Sequence, residues 1–291
     1  MIMPQNLFAA CRDNNGQLVA KRVRLDANVQ NAVETIFAIQ EDEFRSGADN
    51  EVAFDGRWKL DDDEIFALDV PAEGRIFVET INANAMAIAD LNTETFADEG
   101  IKALFTGVAA NGTTKVLIQR FTAQQVLGHR FAFLQQGNAF RRLTEAAFTL
   151  DNSLTCLIEN GKIKFKSQHK LRSIIDFVEI YRAATDQEVR DFAGHAKLEV
   201  ADPAAFVSIT NQVSRKLIHA ITSSGTLEDY TPTAIQAAAA GTGLAINVRD
   251  DKIVMPQAHA DIKALLQFLN ECRYSGPLSG QAYVTNSQRP A

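Results

Sequence analysis

The sequence predicts an α+β fold: an N-terminal mixed sheet with helices, followed by a helix-rich C-terminal half ending in a strand. Three observations carry this. Apolar and β-branched runs up to Lys166 are punctuated by Asn-Gly pairs, the signature of tight hairpins. Helical stretches interrupt those runs without the regular strand–helix–strand rhythm of a doubly wound sheet. From about residue 168 to 241, amphipathic helical spacing takes over.

Taken in order, NLFAACR, DNNGQ and LVAKRVRLD read as a hairpin about an Asn-Gly turn. ANVQNAVETIFAIQEDEF places Val29, Val33, Ile36, Phe37 and Phe44 at helical spacing, with Gly47 as its stop. EVAFDG and EIFALDV form short strands separated by the acidic turn DDDE. RIFVETINANAMAIADL and FADEGIKALFTGVAA are expected as helices, and TTKVLIQRF as a strand after an Asn-Gly turn. FTLDNSLTCLIENGKIKFKS gives two strands joined at Asn160-Gly161. HKLRSIIDFVEIYRAA is expected as a helix burying Leu171, Ile174, Ile175, Val178 and Tyr181 or their neighbours. Helical patterns continue beyond it, with Pro203 and Gly225 as breakpoints. A strand, an Asp-rich turn, a second strand, a histidine and an amphipathic helix then recur in INVRDDKIVMPQAHADIKALLQFLN. That is either a degenerate repeat of the 156–179 segment or a coincidence of a common unit. The expected division is an N-terminal α/β region over 1–147 and a C-terminal region over 148–291 carrying the hairpin and the helices.

Charge is distributed unevenly. Residues 1–100 hold 8 Lys+Arg against 20 Asp+Glu, a net −12, in a chain whose total is −7. Residues 101–182 hold 12 basic and 5 acidic side chains. Such asymmetry points to two different partner surfaces, or to charges clustered on solvated faces. No apolar run approaches the roughly 20 residues that span a bilayer. The N-terminal residues lack the pattern of a signal peptide, so a cytoplasmic protein is expected. Cys11, Cys156 and Cys272 form no CxxC pair and read as small buried thiols.

The search for chemistry leaves little. Five histidines are scattered without HExxH or HxH spacing, and there is no GxSxG elbow. The run AAAAGTGLAI lacks the Lys-Ser/Thr of a P-loop and is expected as a helix C-cap. Asp151 and Glu159 precede the lysine-bearing strand but not at acid-x-Lys spacing, and Glu159 sits at a turn where an acid needs no special reason. No catalytic residue, metal site or cofactor is therefore expected.

What remains is cationic. In KIKFK, strand alternation puts Lys162, Lys164 and Lys166 on one face and Ile163 and Phe165 on the other. The lysines form a ladder with a spacing of about 6.6–6.8 Å, close to that of phosphates along one nucleic-acid strand. Lys170 and Arg172 extend it, and Arg141 and Arg142, with Arg120 and Arg130, widen it if the fold brings them near. Two readings stay open: phosphate binding, which asks for little more than such a field, and an edge strand guarded by lysines against aggregation. In the acidic third, Asp61, Asp62, Asp63 and Glu64 are the candidates for meeting a positive partner, against a solvated turn.

The order SLTCLIENGKIKF, helix, FVEIYR…EVRDF, then DDKIVMP…IKALLQFLNECRYSGPLSGQAYVTNSQRPA, resembles the KwaB family over roughly 148–291. KwaB is the soluble component of the two-gene Kiwa anti-phage defence system. The more specific piece is the closing one: a helix ALLQFLN, a Leu278-Ser279-Gly280 turn and an aromatic strand AYVTNSQ. After the GKI strand the family often carries an aromatic–acid pair, whereas here the segment is QHKLRS, so the basic reading is this sequence's own. The resemblance implies a cytoplasmic protein that binds phage DNA and hinders its replication or transcription. It also implies docking on the membrane protein KwaA, recruitment to the inner membrane and homo-oligomerisation. A metal-dependent nuclease effector and a structural adaptor without nucleic-acid affinity are the alternatives.

Overall fold

Tight turns and a central hairpin stack organise the first part of the chain. The computed structural model describes residues 6–54, 56, 59–127, 133–143 and 146–285. Contacts divide the chain into two units, one of Met1–Phe54 with Leu60–Phe177 and one of Asp55–Lys59 with Val178–Ala291.

In the first unit, β1 (Leu7–Arg12) and β2 (Leu18–Val23) form the expected hairpin, followed by α1 (Ala27–Arg45). The Asp26 carboxylate accepts from the Asn28 and Val29 amides and so fixes the start of α1. Then come β3 (Asn50–Ala53), β4 (Glu64–Asp69), α2 (Arg75–Asn82), β5 (Ile101–Ala110) and β6 (Thr113–Arg120). The hairpin β7 (Phe133–Gln136) and β8 (Ala139–Arg142) stands as a separate two-stranded sheet. The hairpin β9 (Cys156–Glu159) and β10 (Lys162–Phe165) precedes a short α3 (Gln168–Arg172).

Eight strands make one sheet in the order β2-β1-β5-β6-β9-β10-β4-β3. Every pairing is antiparallel except β3 with β4, so the sheet is mixed as expected. α1 covers one face, packing Val33, Phe37 and Phe44 against Leu7, Leu104, Leu117 and Leu157. On the other face α2 brings Phe77 to Phe105, 4.8 Å between ring centroids, and Phe105 stacks on Phe8.

The second unit contains α4 (Asp186–Ala193), β11 (Leu198–Glu199), α5 (Pro203–Ile209), α6 (Gln212–Ser224), α7 (Thr226–Asp229) and α8 (Pro232–Ala240). It continues with β12 (Val248–Arg249), β13 (Lys252–Val254), α9 (His259–Leu269), β14 (Arg273–Ser275) and β15 (Ala282–Val284). Its core gathers Val189, Phe192, Phe206, Ile218, Ile253 and Leu266. Pro203 opens α5 and Gly225, at φ 72°, closes α6, as their residue types require. Gly241 caps α8.

Three expectations need correction. The run 96–110 is mainly strand β5 rather than helix. Central strands buried on both faces read as continuous apolar runs, which periodicity does not separate from a buried helix. A side chain at Gly107 would lie 2.3 Å from the Lys115 carbonyl, so the β5–β6 approach itself demands glycine. The helix expected from 169 to 184 stops at Arg172. Ile174, Ile175 and Phe177 are buried on non-helical backbone beyond it, and a 3-10 turn at Val178–Ile180 follows. Finally, α2 ends at Asn82, with only a 3-10 turn over Ala85–Ala87 beyond it. The β9–β10 hairpin forms two inner strands of the eight-stranded sheet, and the contact-based units divide after Phe177. The recurrent strand–turn–strand–helix pattern is real as local structure. Asn160-Gly161 and Asp250-Asp251 both form two-residue turns with positive φ at each position.

Candidate nucleic-acid interface

The β9–β10 turn at Asn160-Gly161 sets the register that pairs Lys162 with Glu159 and Lys164 with Leu157. Alternation then acts as expected: Ile163 and Phe165 are fully buried, Phe165 packing against Phe54, Phe66 and Phe177. The lysines occupy the opposite face. β10, however, lies between β9 and β4, so it is not an edge strand, and the edge-protection reading has no edge to protect.

An inner strand has consequences for its lysines. Lys164 is only 8% exposed, and its Nζ pairs with Glu51 and, at 3.5 Å, with Glu159. Glu159 also accepts from the Arg45 guanidinium at 3.2 Å, Arg45 bonds Glu41 at 2.9 Å, and Glu41 takes Lys115 Nζ at 2.7 Å. Three cations and three carboxylates thus alternate through Lys115, Glu41, Arg45, Glu159, Lys164 and Glu51. Partial burial works against the charge on Glu159, but the bonds from Arg45 and Lys164 outweigh it and hold the carboxyl below its ordinary pKa. Burial likewise opposes the Arg45 charge, and the bonds to Glu41 and Glu159 more than offset it. Glu159 therefore serves an ion network, and the three-lysine ladder is broken at its middle rung.

The remaining cations of this region are differently placed. Lys162 is exposed and makes no ion pair among the described residues. Lys166 is exposed beyond the end of β10, its Nζ 5.6 Å from the centre of the Phe44 ring, within cation–π range. The Ser167 hydroxyl accepts from the Lys170 amide at 3.4 Å and starts α3, on which His169, Lys170 and Arg172 are exposed. Lys166 and Lys170 share a depression of about 260 Å³ lined also by Phe44, Glu43, Ser153 and Thr155. Arg141 and Arg142 lie on β8, both exposed, in a hairpin whose Phe133 and Phe140 are also exposed, Phe140 at 74%. Arg120 lines a different cavity, at the end of β6. Arg130 lies outside the described residues.

In the acidic turn, Asp61, Asp62 and Asp63 are exposed, and Asp63 accepts from the Asn50 side chain at 2.8 Å. Glu64 corrects the expectation. It is 2% exposed, opens β4, and accepts from the Asp61 amide at 2.8 Å, so it braces the turn instead of facing outward. Asp151 uses its carboxylate on the Asn152 amide, 2.7 Å away. Among the described residues, no group of three or more His, Cys, Asp and Glu could hold a metal ion.

Sequence reasoning missed the pairing of Lys164 and the exposed phenylalanines of β7 and β8. One signal was available: residues 100–144 contain no Asp or Glu at all, so a carboxylate partner for a cation there has to come from elsewhere in the chain, as Glu41 does for Lys115.

Residues 114–279 match the family described as Kiwa protein KwaB-like, more than half of the chain. The chain belongs to the KwaB-like family. Membership carries a role in Kiwa anti-phage defence. No curated protein and no solved structure matches the chain. The KwaB-like match spans the β6–β10 segment with its cations and the second unit as far as Ser279. No helix among the described residues is long and apolar enough to cross a membrane.

Proposed function

We propose that this KwaB-like protein binds DNA without sequence preference through Lys162, Lys166, Lys170 and Arg172, with Arg141 and Arg142 as a second basic element. In this reading it hinders phage DNA replication or transcription while docked on the membrane protein KwaA at the inner membrane, as a homo-oligomer. The observation that carries the reading is a contrast in pairing. Arg12, Lys21, Arg22, Arg45, Lys115 and Lys164 are all bonded to carboxylates, whereas Lys162, Lys166, Lys170 and Arg172 are exposed and make no ion pair among the described residues. Exposed, unpaired cations are what displaces counterions from a phosphate backbone. Lysine, a point charge, suits backbone contact more than base reading. The exposed Asp61–Asp63 turn, within a region of net −12, supports contact with the basic cytoplasmic loops of a membrane partner.

The test is fluorescence anisotropy on labelled duplexes of several sequences, across a salt series, with and without magnesium. Binding that is indifferent to sequence and falls steeply with salt is expected. Magnesium-dependent loss of the duplex would instead support a nuclease, and absence of salt-sensitive binding would support an adaptor.

A further inference from the structure

Beyond the lysine surface, one cavity pairs free cations with apolar walls. It has a volume of about 660 Å³ and lies where β5 begins and β6 ends, lined by Lys102, Arg120, Ile101, Phe121, Thr122 and Val126 among others. That size falls inside the range of roughly 300–1,000 Å³ typical of small-molecule sites. We infer that it binds a phosphate monoester of mononucleotide size, with Arg120 and Lys102 holding the phosphate and the apolar wall holding the base.

The backbone explains how these two side chains come together. Arg120 is the last residue of β6, opposite Ala103, and its amide donates to the Thr155 hydroxyl at 2.9 Å, so its Cα is fixed. Next to it the β1–β5 register jumps from Ala10↔Ala103 to Cys11↔Ile101, skipping Lys102. An irregularity of this kind re-aims a side chain, and here it releases Lys102 from strict alternation. The Lys102 carbonyl still accepts from the Phe121 amide at 2.8 Å, which keeps the two strands joined beneath the cavity.

The electrostatics select an anion. Among the described residues, the buried Arg120 Nε has no hydrogen-bond partner, and neither Arg120 nor Lys102 makes an ion pair. A buried guanidinium N–H without an acceptor is costly, so the site favours a ligand that supplies one. The nearest acid in sequence, Glu99, is already engaged by Lys21. The hydroxyls on the wall are spent as donors, Thr122 to the Gln125 side chain at 3.3 Å and Ser173 to the Lys170 carbonyl at 2.7 Å. The ligand is therefore read by charge, and a planar guanidinium fork beside an ammonium matches a terminal phosphate dianion. Ile101, Phe121 and Val126 offer the base an apolar surface that inorganic phosphate would leave unused.

Isothermal titration of the full chain with 5′-AMP, inorganic phosphate and adenosine tests this. AMP should bind, phosphate more weakly, and adenosine not measurably. Arg120→Gln should weaken AMP by about tenfold or more, the scale of a lost charge-assisted pair, and Arg120→Lys should recover part of it. Because Arg120 is partly buried, Lys102→Gln is the second variant, expected to weaken AMP with an unchanged thermal midpoint. Absence of AMP binding, AMP no tighter than phosphate, or unchanged affinity in both Gln variants would overturn the assignment. So would Arg120→Gln abolishing duplex DNA binding in a protein that never bound AMP, since the cavity would then belong to a DNA surface.

Discussion

Lys164 is cationic by sequence, but at the residue scale it behaves as a structural group. Its ammonium is nearly buried between Glu51 and Glu159, so neutralising it removes charge-assisted bonds and leaves carboxylates short of a partner. Lys164→Gln is expected to destabilise the first unit by about 1–3 kcal/mol, the cost typical of losing such bonds at a partly buried site. Urea denaturation of the pure variant checks this, and its DNA salt slope should equal that of the unsubstituted protein. Two ion-paired carboxylates, one in this network and one in the second unit, set a pH dependence. The Glu159 carboxyl is held below its ordinary value, and Glu188 lies at about 2 through its bonds to Arg182 and Thr185. Both are depressed groups, so their stabilisation is complete above the unfolded carboxylate pKa and is lost as pH falls through the folded values. Thermal midpoints should therefore decline below about pH 4.5, and Glu159→Gln or Glu188→Gln should flatten that decline; parallel acid profiles would contradict it.

Elements decide which cations are presented together. The β9–β10 hairpin places Lys162 at its start, while Lys166, Ser167 and α3 carry the chain out of the sheet and expose Lys170 and Arg172. Each exposed cation that neutralises one phosphate contributes about 0.9 to the log–log salt slope on duplex DNA. Replacing Lys166, Lys170 and Arg172 one at a time with Gln should lower the slope by about that amount each, with little change in stability. Lys166 gives up only its position over Phe44, which at an exposed site contributes about 0.5–1 kcal/mol. Slopes unchanged from that of the unsubstituted protein in all three variants would remove Lys166 and α3 from the interface. Arg141 and Arg142, on an isolated hairpin of the kind that is marginally stable in water alone, belong to the same titration series.

At the scale of the whole molecule, the acidic and basic regions of the sequence partly neutralise each other in the fold. The region 1–100 supplies carboxylates that pair with Lys115 and Lys164 from the basic middle, which accounts for part of its excess of acid. What is left exposed includes Asp61, Asp62 and Asp63. Such charge repels phosphate within a Debye length of about 10 Å at 0.1 M salt. Reversing these three to Lys should weaken association with a basic membrane partner, as measured by co-purification, and leave duplex affinity unchanged or raised. Retained association would return the segment to an ordinary solvated turn. Glu64 is left out of that variant, since its burial and its bond to the Asp61 amide make it part of the fold.

By itself the sequence determined the local geometry and the kinship. Asn160-Gly161 dictates a tight turn because both positions need positive φ, and KIKFK alternates because a strand has period two. The caps at Asp26, Pro203 and Gly225 follow equally from single-residue chemistry. The order of segments from Ser153 onward carries the KwaB-like character, and the family match established that kinship over residues 114–279. Tertiary structure alone decided which charges are free. The partners of Lys164 and Glu159 come from Glu51 and Arg45, more than 110 positions away in the chain. Only folding brings those carboxylates and guanidinium groups to the lysine face, turns an apparent edge ladder into an inner strand, and leaves Arg120 and Lys102 facing a cavity with no acid among its described lining residues. Charge is written residue by residue, but its desolvation and pairing depend on neighbours that the fold supplies.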